Sequence, residues 1–414
     1  MGEVRLKALV LAGGYDQIAL IKELKAKKYE VLLADYLDNP PAKKEADYFF
    51  QISTLDEKGI YNLAKREKVN IVITACTDQA LLTAANVSEK LGLPFYLSGK
   101  HAKSVTNKFY MKQKFKENNI SSADYRVFED ILEEKEIFNF NNFPYVVKPC
   151  DCNSSKGVQK VENSQELKRA INKAFSLSRS KKIVIENFLD GVEISVDVWV
   201  KNFIPQILSV TQTKKMDSHT DSFTIYQSCY PVNMTLDLKT QINEISYKLC
   251  EAFGVKNGPM LIQAIIKENK VYVLEFSARM GGGTKYKLIE YITGINIMQL
   301  YTDFTVNSPN VEIMPVMSEK MYEMDYIYAY NGIFKMLKGY EELKQHNVIC
   351  EYFQYKEEGA EISQRCVSGD RVVGVLIAAD TLEEMKNKRD ILMQQTEILD
   401  MEGNDITYRE CFEA

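Results

Sequence analysis

Short apolar runs alternate with helical patterns through roughly the first hundred residues. Residues 6–12 form an apolar run, interrupted by Lys7, that ends at Gly13-Gly14, and residues 18–27 follow with apolar positions at helical spacing. The strand pattern returns at 30–35 and 70–75, the helical one at 56–68 and 78–91. This alternation predicts a parallel, doubly wound sheet. Beyond 106 the rhythm changes. Helices are expected over 108–118 and 131–138, then a small β lobe with strands at 144–149 and 182–188, a polar loop at 151–158 and a helix at 164–176. A second sheet is expected from 193–201, 206–213, 260–267 and 270–276, with a helix at 237–253. The hydroxyl-rich stretch 211–231 reads as a loop, and the last hundred residues or so contain a strand at 371–379 and a helix at 382–395.

At 414 residues the chain exceeds the size at which single cores stop growing, so two or three domains are expected. A hydrophobic content of 45% and a net charge of −5 describe an ordinary globular protein without the basic face that nucleic acids or membrane surfaces require. No apolar run is long enough to span a bilayer, and the N-terminus enters a strand rather than a signal peptide, so a cytoplasmic location is expected. Eight scattered cysteines then read as reduced thiols, and with only three histidines a zinc site is not expected. The Gly13-Gly14 turn lacks the full dinucleotide fingerprint and reads as a tight turn.

The chemistry concentrates at 271–285, where an apolar strand delivers Glu275, Ser277 and Arg279 at i, i+2 and i+4, followed by Gly281, Gly282 and Gly283. Alternate strand residues share a face, so an acid, a hydroxyl and a guanidinium line one wall. Gln263 interrupts an apolar strand twelve residues before Glu275, and the intervening turn sets the two side by side as oxygen ligands for a hard cation. Lys148 lies between apolar residues of a strand, where an ammonium needs an anionic partner. Ser154, Ser155, Lys156, Gly157 and Val158 form a loop whose backbone can approach phosphate oxygens. Glu186 and Glu193 stand at the two ends of a short link between strands.

In this order and spacing the sequence resembles the ATP-grasp superfamily, in particular the branch with carbamoyl phosphate synthetase, biotin carboxylase and the L-amino acid ligases. The resemblance spans roughly residues 1–305. It implies an α/β and α+β fold in three parts: an N-terminal parallel α/β domain (1–105), a two-lobed ATP-grasp domain (106–308, small lobe about 121–190) and a small C-terminal α+β domain (309–414). It assigns Lys108 and Lys148 to ATP, 154–158 to a mobile phosphate loop, and Glu186, Asn187, Phe188 and Leu189 to the adenine hinge. Glu193 becomes the ribose acid, Gln263, Glu275 and Ser277 the ligands of Mg²⁺ or Mn²⁺, and Arg279 the residue that steadies an acyl phosphate. Members usually have Asn where this chain has Ser277, and their phosphate loops often carry more glycine.

The implied reaction is ATP-dependent joining of a carboxylate to an amine. Gly281, Gly282 and Gly283 would admit the substrate carboxylate, and His219, in the loop expected over 211–231, would face the acceptor. Alternatives are a bicarbonate-activating subunit, resembling a carboxylase or one half of carbamoyl phosphate synthetase, and an ATP-binding protein without catalysis. Small-molecule partners and a homodimer through the N-terminal domain complete the expectation.

Overall fold

The computed structural model describes residues 6–130, 137, 139–152, 156–216, 223–307, 313–363 and 367–412. Ser154, Ser155, His219 and most of the helix expected over 131–138 lie outside this set.

The N-terminal segment is the parallel sheet that alternation predicts. Strands β1 (Lys7–Leu11), β2 (Glu30–Asp35), β3 (Tyr48–Gln51) and β4 (Ile71–Ile73) pair in the order β3-β2-β1-β4. Helices α1 (Tyr15–Ala26), α2 (Glu57–Glu67) and α3 (Asp78–Leu91) cover it. β3 was missed because it is only four residues long, with Tyr48 and Gln51 at its ends exposed. Helix α4 (Gly99–Thr106) leads directly into α5 (Lys108–Glu117), and Asn107 between them caps α5 by accepting from the Phe109 amide at 3.0 Å.

The small lobe is an antiparallel sheet of β5 (Tyr125–Phe128), β6 (Tyr145–Pro149), β7 (Gln159–Val161) and β8 (Ile183–Asn187), ordered β5-β8-β6-β7 and backed by α6 (Ser164–Leu177). The large lobe brings β9 (Val192–Lys201), β10 (Ile204–Lys215), β11 (Ile225–Tyr230), β12 (Asn257–Lys267) and β13 (Lys270–Ser277) into one antiparallel sheet. Helix α7 (Leu236–Phe253) lays its apolar stripe of Leu238, Ile242, Ile245, Leu249 and Phe253 on that sheet. Each such side chain contributes about 1.5–3 kcal/mol on burial. Thr235 caps its start and Gly254, in the left-handed region, ends it.

The loop expected over 211–231 is corrected. β10 and β11 occupy most of it as an antiparallel pair, with Gln212 opposite Cys229 and Thr213 opposite Ser228. Three of its hydroxyls are buried rather than solvated: Thr211, Thr213 and Ser228 are at most 7% exposed, their backbones held in the ladder. At Thr213 and Ser228 polarity marks a cavity wall, not a turn.

Helices α8 (Lys285–Thr293) and α9 (Ile297–Asn307) return the chain toward the N-terminal segment. The last part contributes β14 (Met321–Ala329), β15 (Gly332–Lys338), α10 (Tyr340–Gln345), β16 (Glu351–Gln354), β17 (Glu361–Ile362), β18 (Val373–Ala379), α11 (Leu382–Gln395), β19 (Glu397–Asp400) and β20 (Thr407–Tyr408). β14 pairs with β11, so the large sheet continues across the expected boundary at 308/309 in the order β13-β12-β9-β10-β11-β14-β18-β16. The α/β and α+β class expected from sequence is the class observed.

One buried group in this joint makes stability depend on pH. Asp325 on β14 is fully buried beside Glu323, and Arg389 of α11 pairs with Glu323 at 2.5 Å but stays 4.0 Å from Asp325. Burial, then the Glu323 charge, push the Asp325 carboxyl up to about 7. The unfolded chain releases that proton near pH 4, roughly the ordinary carboxylate value. The contribution is therefore complete below about pH 4 and lost as pH rises toward about 7. Asp325→Asn is expected to flatten the fall in thermal midpoint between about pH 4 and about pH 7 relative to the parent. Equal slopes in the two proteins would contradict this origin.

Candidate functional site

Helix α5 carries the two lysines that connect the lobes. Lys108 and Lys112 are one turn apart and share a face. Lys112 is 3% exposed and reaches Glu186 on β8 of the small lobe at 2.9 Å. Lys108 reaches Glu275 on β13 of the large lobe at 3.2 Å and donates to the Cys152 carbonyl at 2.8 Å.

The small-lobe strands set the second cation. Val146 lies opposite Glu186 in the β6–β8 register, so Lys148, two residues on, is a diagonal neighbour of Glu186 on the same face. Its ammonium pairs with the Glu186 carboxylate. Burial alone would raise the Glu186 carboxyl, but Lys112 and Lys148 outweigh it and hold it at about 2. Glu186, expected to face adenine, is thus turned inward to two ammonium groups.

On the large lobe, Gln263 and Glu275 stand directly opposite each other on β12 and β13. Burial opposes ionisation of Glu275, yet Lys108 and Lys148 pull its carboxyl below the usual range, so it is a carboxylate at neutral pH. Glu193 on β9 takes Lys215 of β10 at 2.5 Å through one oxygen, while its other oxygen, Oε1, is buried without a hydrogen bond. That oxygen is an open acceptor.

Two cavities meet here. The larger, about 850 Å³, runs between the lobes and is lined by Lys148, Val158, Glu186 to Glu193 and Lys215. The smaller, about 340 Å³, is lined by Ser277, Arg279, Gly281 to Gly283 and Lys285. Lys108, Gln263 and Glu275 line both. Gly157 is left-handed (φ 76°), and a side chain there would meet Leu177 and Pro149, which fixes glycine in the turn of the expected phosphate loop. Lys156 beside it is exposed. Asn187, Phe188 and Leu189 line the larger cavity, with Lys160 4.4 Å above the Phe188 ring.

The wall 275–279 points into the smaller cavity as strand periodicity requires, but it is tied to the N-terminal segment in a way the sequence did not disclose. Asp78, at the start of α3, accepts Nε of Arg279 at 2.7 Å and Nη2 at 2.5 Å, and also the Ser277 hydroxyl. Burial opposes charge on Asp78, and Arg279 outweighs it, drawing the carboxyl below its ordinary value. Asp16 of α1 accepts the backbone N–H groups of Gly283 at 3.2 Å and Thr284 at 2.9 Å. Lys285 pairs with Asp197 of β9 at 3.0 Å. Cys76, in the left-handed region and facing the same cavity, has its thiol pushed up by burial and gives its proton to the Gly281 carbonyl, so it is no thiolate nucleophile.

Lys112, Asp78, Asp16, Lys285 and Lys215 were missed. Lys112 sits at i+4 from Lys108, a signal present in the sequence. Asp78 and Asp16 follow the C-terminal ends of parallel strands, where ligands gather in such sheets. The Lys285–Asp197 pair depends on long-range packing that no local pattern encodes, whereas Lys215 and Glu193 meet at the open end of the β9–β10 hairpin.

These residues fit a magnesium nucleotide. The larger cavity has the size of a small-molecule site, two lysines face its inner end, and Glu193 Oε1 has capacity for a hydroxyl. Among the described residues no three His, Cys, Asp or Glu side chains gather as a metal cage. Gln263 and Glu275 would thus hold a cation together with phosphate oxygens and water, the habit of Mg²⁺.

Comparison with known proteins agrees. Residues 141–287 match the family model for the ATP-grasp domain. The carbamoyl phosphate synthase large chain of Pseudothermotoga lettingae is 24% identical over 302 residues, 66% of this chain and 26% of that protein. The chain thus spans about a quarter of the length of that relative. The D-alanine–D-alanine ligase of Aquifex aeolicus is 26% identical over 203 residues, 48% of this chain and 67% of the ligase. In structure, the L-amino acid ligase from Bacillus licheniformis superposes with a TM-score of 0.79 at 21% identity, covering 97% of this chain and all of that one.

Removing Glu186 while both ammonium groups stay buried leaves charge without a partner. Glu186→Gln is expected to cost about 3–5 kcal/mol in urea unfolding. A change below about 0.5 kcal/mol, the ordinary surface value, would show that the two lysines do not depend on it.

Proposed function

With an ATP-grasp domain at the centre of this chain, we propose that the protein is an ATP-dependent ligase that joins a carboxylate to an amine through an acyl phosphate, releasing ADP and phosphate. The observation that carries this reading is the meeting of two cavities at Lys108, Gln263 and Glu275. A nucleotide-sized space and a separate acceptor space share the three side chains suited to a phosphate and its cation. ATP with Mg²⁺ (or Mn²⁺) supplies the transferable phosphoryl group and neutralises its charge.

The chain supplies position and charge. Lys108 and Lys148 are the cations for phosphate oxygens, and Gln263 and Glu275 the oxygen ligands. Residues 187–189 wall the adenine end, and Glu193 is the ribose acceptor. Ser277, its proton directed to Asp78, keeps oxygen lone pairs toward the cavity. Arg279, fixed by Asp78, presents a rigid positive wall beside the reacting carboxylate, and Gly281 to Gly283 let that carboxylate approach the backbone. The segment 154–158 would close over the phosphates and exclude water, which otherwise hydrolyses the activated acid. No acidic or cysteine nucleophile is needed, because phosphoryl transfer depends on alignment and charge neutralisation.

The smaller cavity, about 340 Å³, lies in the range of small-molecule pockets and has room for an amino-acid-sized acceptor. The division into 1–105, 106–308 and 309–414, action on small molecules in the cytoplasm, and a homodimer through the N-terminal segment belong to the same proposal. No described helix is long and apolar enough to cross a membrane.

Incubation with Mg-ATP, a panel of amino acids and hydroxylamine is expected to give an acyl hydroxamate and ADP. Lys148→Ala and Glu275→Gln should each lower that turnover about 100-fold. Absence of ADP formation across a broad acid panel would refute the ligase reading.

A further inference from the structure

We infer that Arg371, contributed by the C-terminal segment, binds a substrate carboxylate that does not itself react. The inference rests on the ligase reading and adds to it a requirement on the substrate.

Arg371 lines the smaller cavity and is not among the residues that line the larger one. It reaches across from the C-terminal segment to the glycine loop: a Cβ on Gly283, which is left-handed (φ 75°), would lie 2.4 Å from its Nη1. Glycine at 283 therefore leaves the room that this guanidinium occupies. The guanidinium stacks 3.8 Å from the centroid of the Tyr326 ring, and its Nε donates to the Tyr328 hydroxyl at 3.3 Å. Tyr326 is itself tied to the Gly283 carbonyl at 3.0 Å. Ring and hydroxyl fix the orientation of Arg371 without neutralising it.

The acids of this cavity are already engaged. Asp78 is bidentate with Arg279, Glu275 is paired with Lys108, and both oxygens of Asp16 accept the backbone of Gly283 and Thr284, while Asp197, outside the lining, holds Lys285. Among the described residues Arg371 has no carboxylate partner, whereas Arg279, Arg389 and Arg409 each have one. A fixed guanidinium with free donors facing a cavity is the side chain best shaped to take a carboxylate through two parallel hydrogen bonds. The reacting carboxylate belongs beside Arg279, on the side of Lys108 and Glu275 and toward the Gly281 end of the glycine run, whereas Arg371 stands at the Gly283 end. A carboxylate at Arg371 is therefore a second one, borne either by the acid being activated or by the amine that attacks it.

The experiment uses the full chain, Arg371→Met and Arg371→Lys. In one arm, dicarboxylic acids and their monoamides are activated with hydroxylamine as acceptor. In the other, amino acids and their amides compete as nucleophiles for a fixed acid. The parent is expected to prefer the carboxylate-bearing member in one arm, which identifies the source. In Arg371→Met the KM for that member should rise about tenfold or more, the loss of one charged recognition contact, with kcat, the KM for ATP and the thermal midpoint held near the parent's. Arg371→Lys, which keeps charge but not the planar fork, should recover part of the preference.

Equal discrimination by parent and Arg371→Met in both arms would overturn the inference. So would loss of hydroxamate formation from monocarboxylic acids in a folded variant, which would place Arg371 at the reacting group. If the parent itself forms no hydroxamate, the ligase reading fails. Calorimetric titration of the amino acids and their amides then still decides whether Arg371 selects a carboxylate: binding by the parent that weakens in Arg371→Met supports it, and unchanged or absent binding overturns it.

Discussion

Helix α5 holds the molecule's chemistry together because one turn of it sends a lysine into each lobe. Lys112 is locked to Glu186 in the small lobe and Lys108 to Glu275 in the large one. Neither ammonium tolerates burial alone, so each lobe must present a carboxylate at the right height on its strand. Glu186 meets that demand for Lys148 as well, which makes a single carboxylate the hub of the small lobe. The outcome is a cleft whose charges are positioned before any ligand arrives. Preorganised charge of this kind lets a site stabilise a transferring phosphoryl group without rearrangement.

The segment 277–285 is the second meeting point. Asp78 and Asp16 come to it from the ends of the parallel strands, Asp197 from β9, and Tyr326 and Arg371 from the C-terminal part. Three stretches distant in sequence thus define the smaller cavity, and the large sheet runs unbroken from the ATP-grasp strands into β14 and β18. Such continuity explains why the C-terminal part can project a side chain into a pocket built mainly by the other two.

Much of this was legible along the chain. Period-two spacing placed Glu275, Ser277 and Arg279 on one wall, and the length of the 263–275 hairpin set Gln263 opposite Glu275, as the register shows. Helix and strand positions were readable wherever apolar periodicity was strong, as in α6 and α7. The reading failed where polarity had another cause. Thr213 and Ser228 looked like loop residues because cavity walls and loops both favour hydroxyls, yet only the former bury them. The partners of Arg279 and Lys148 were invisible for a different reason. Each pair, Arg279 with Asp78 and Lys148 with Glu186, is made by sheet registry or interdomain packing, and spacing along one strand cannot report what stands across the cavity.

The most direct test is a crystal structure of the full chain with Mg²⁺ and a non-hydrolysable ATP analogue. The account predicts the base beside residues 187–189, phosphate oxygens on Lys108 and Lys148, and the cation against Gln263 and Glu275. A nucleotide bound anywhere else, or one whose phosphates leave Lys108 and Lys148 untouched, would contradict it.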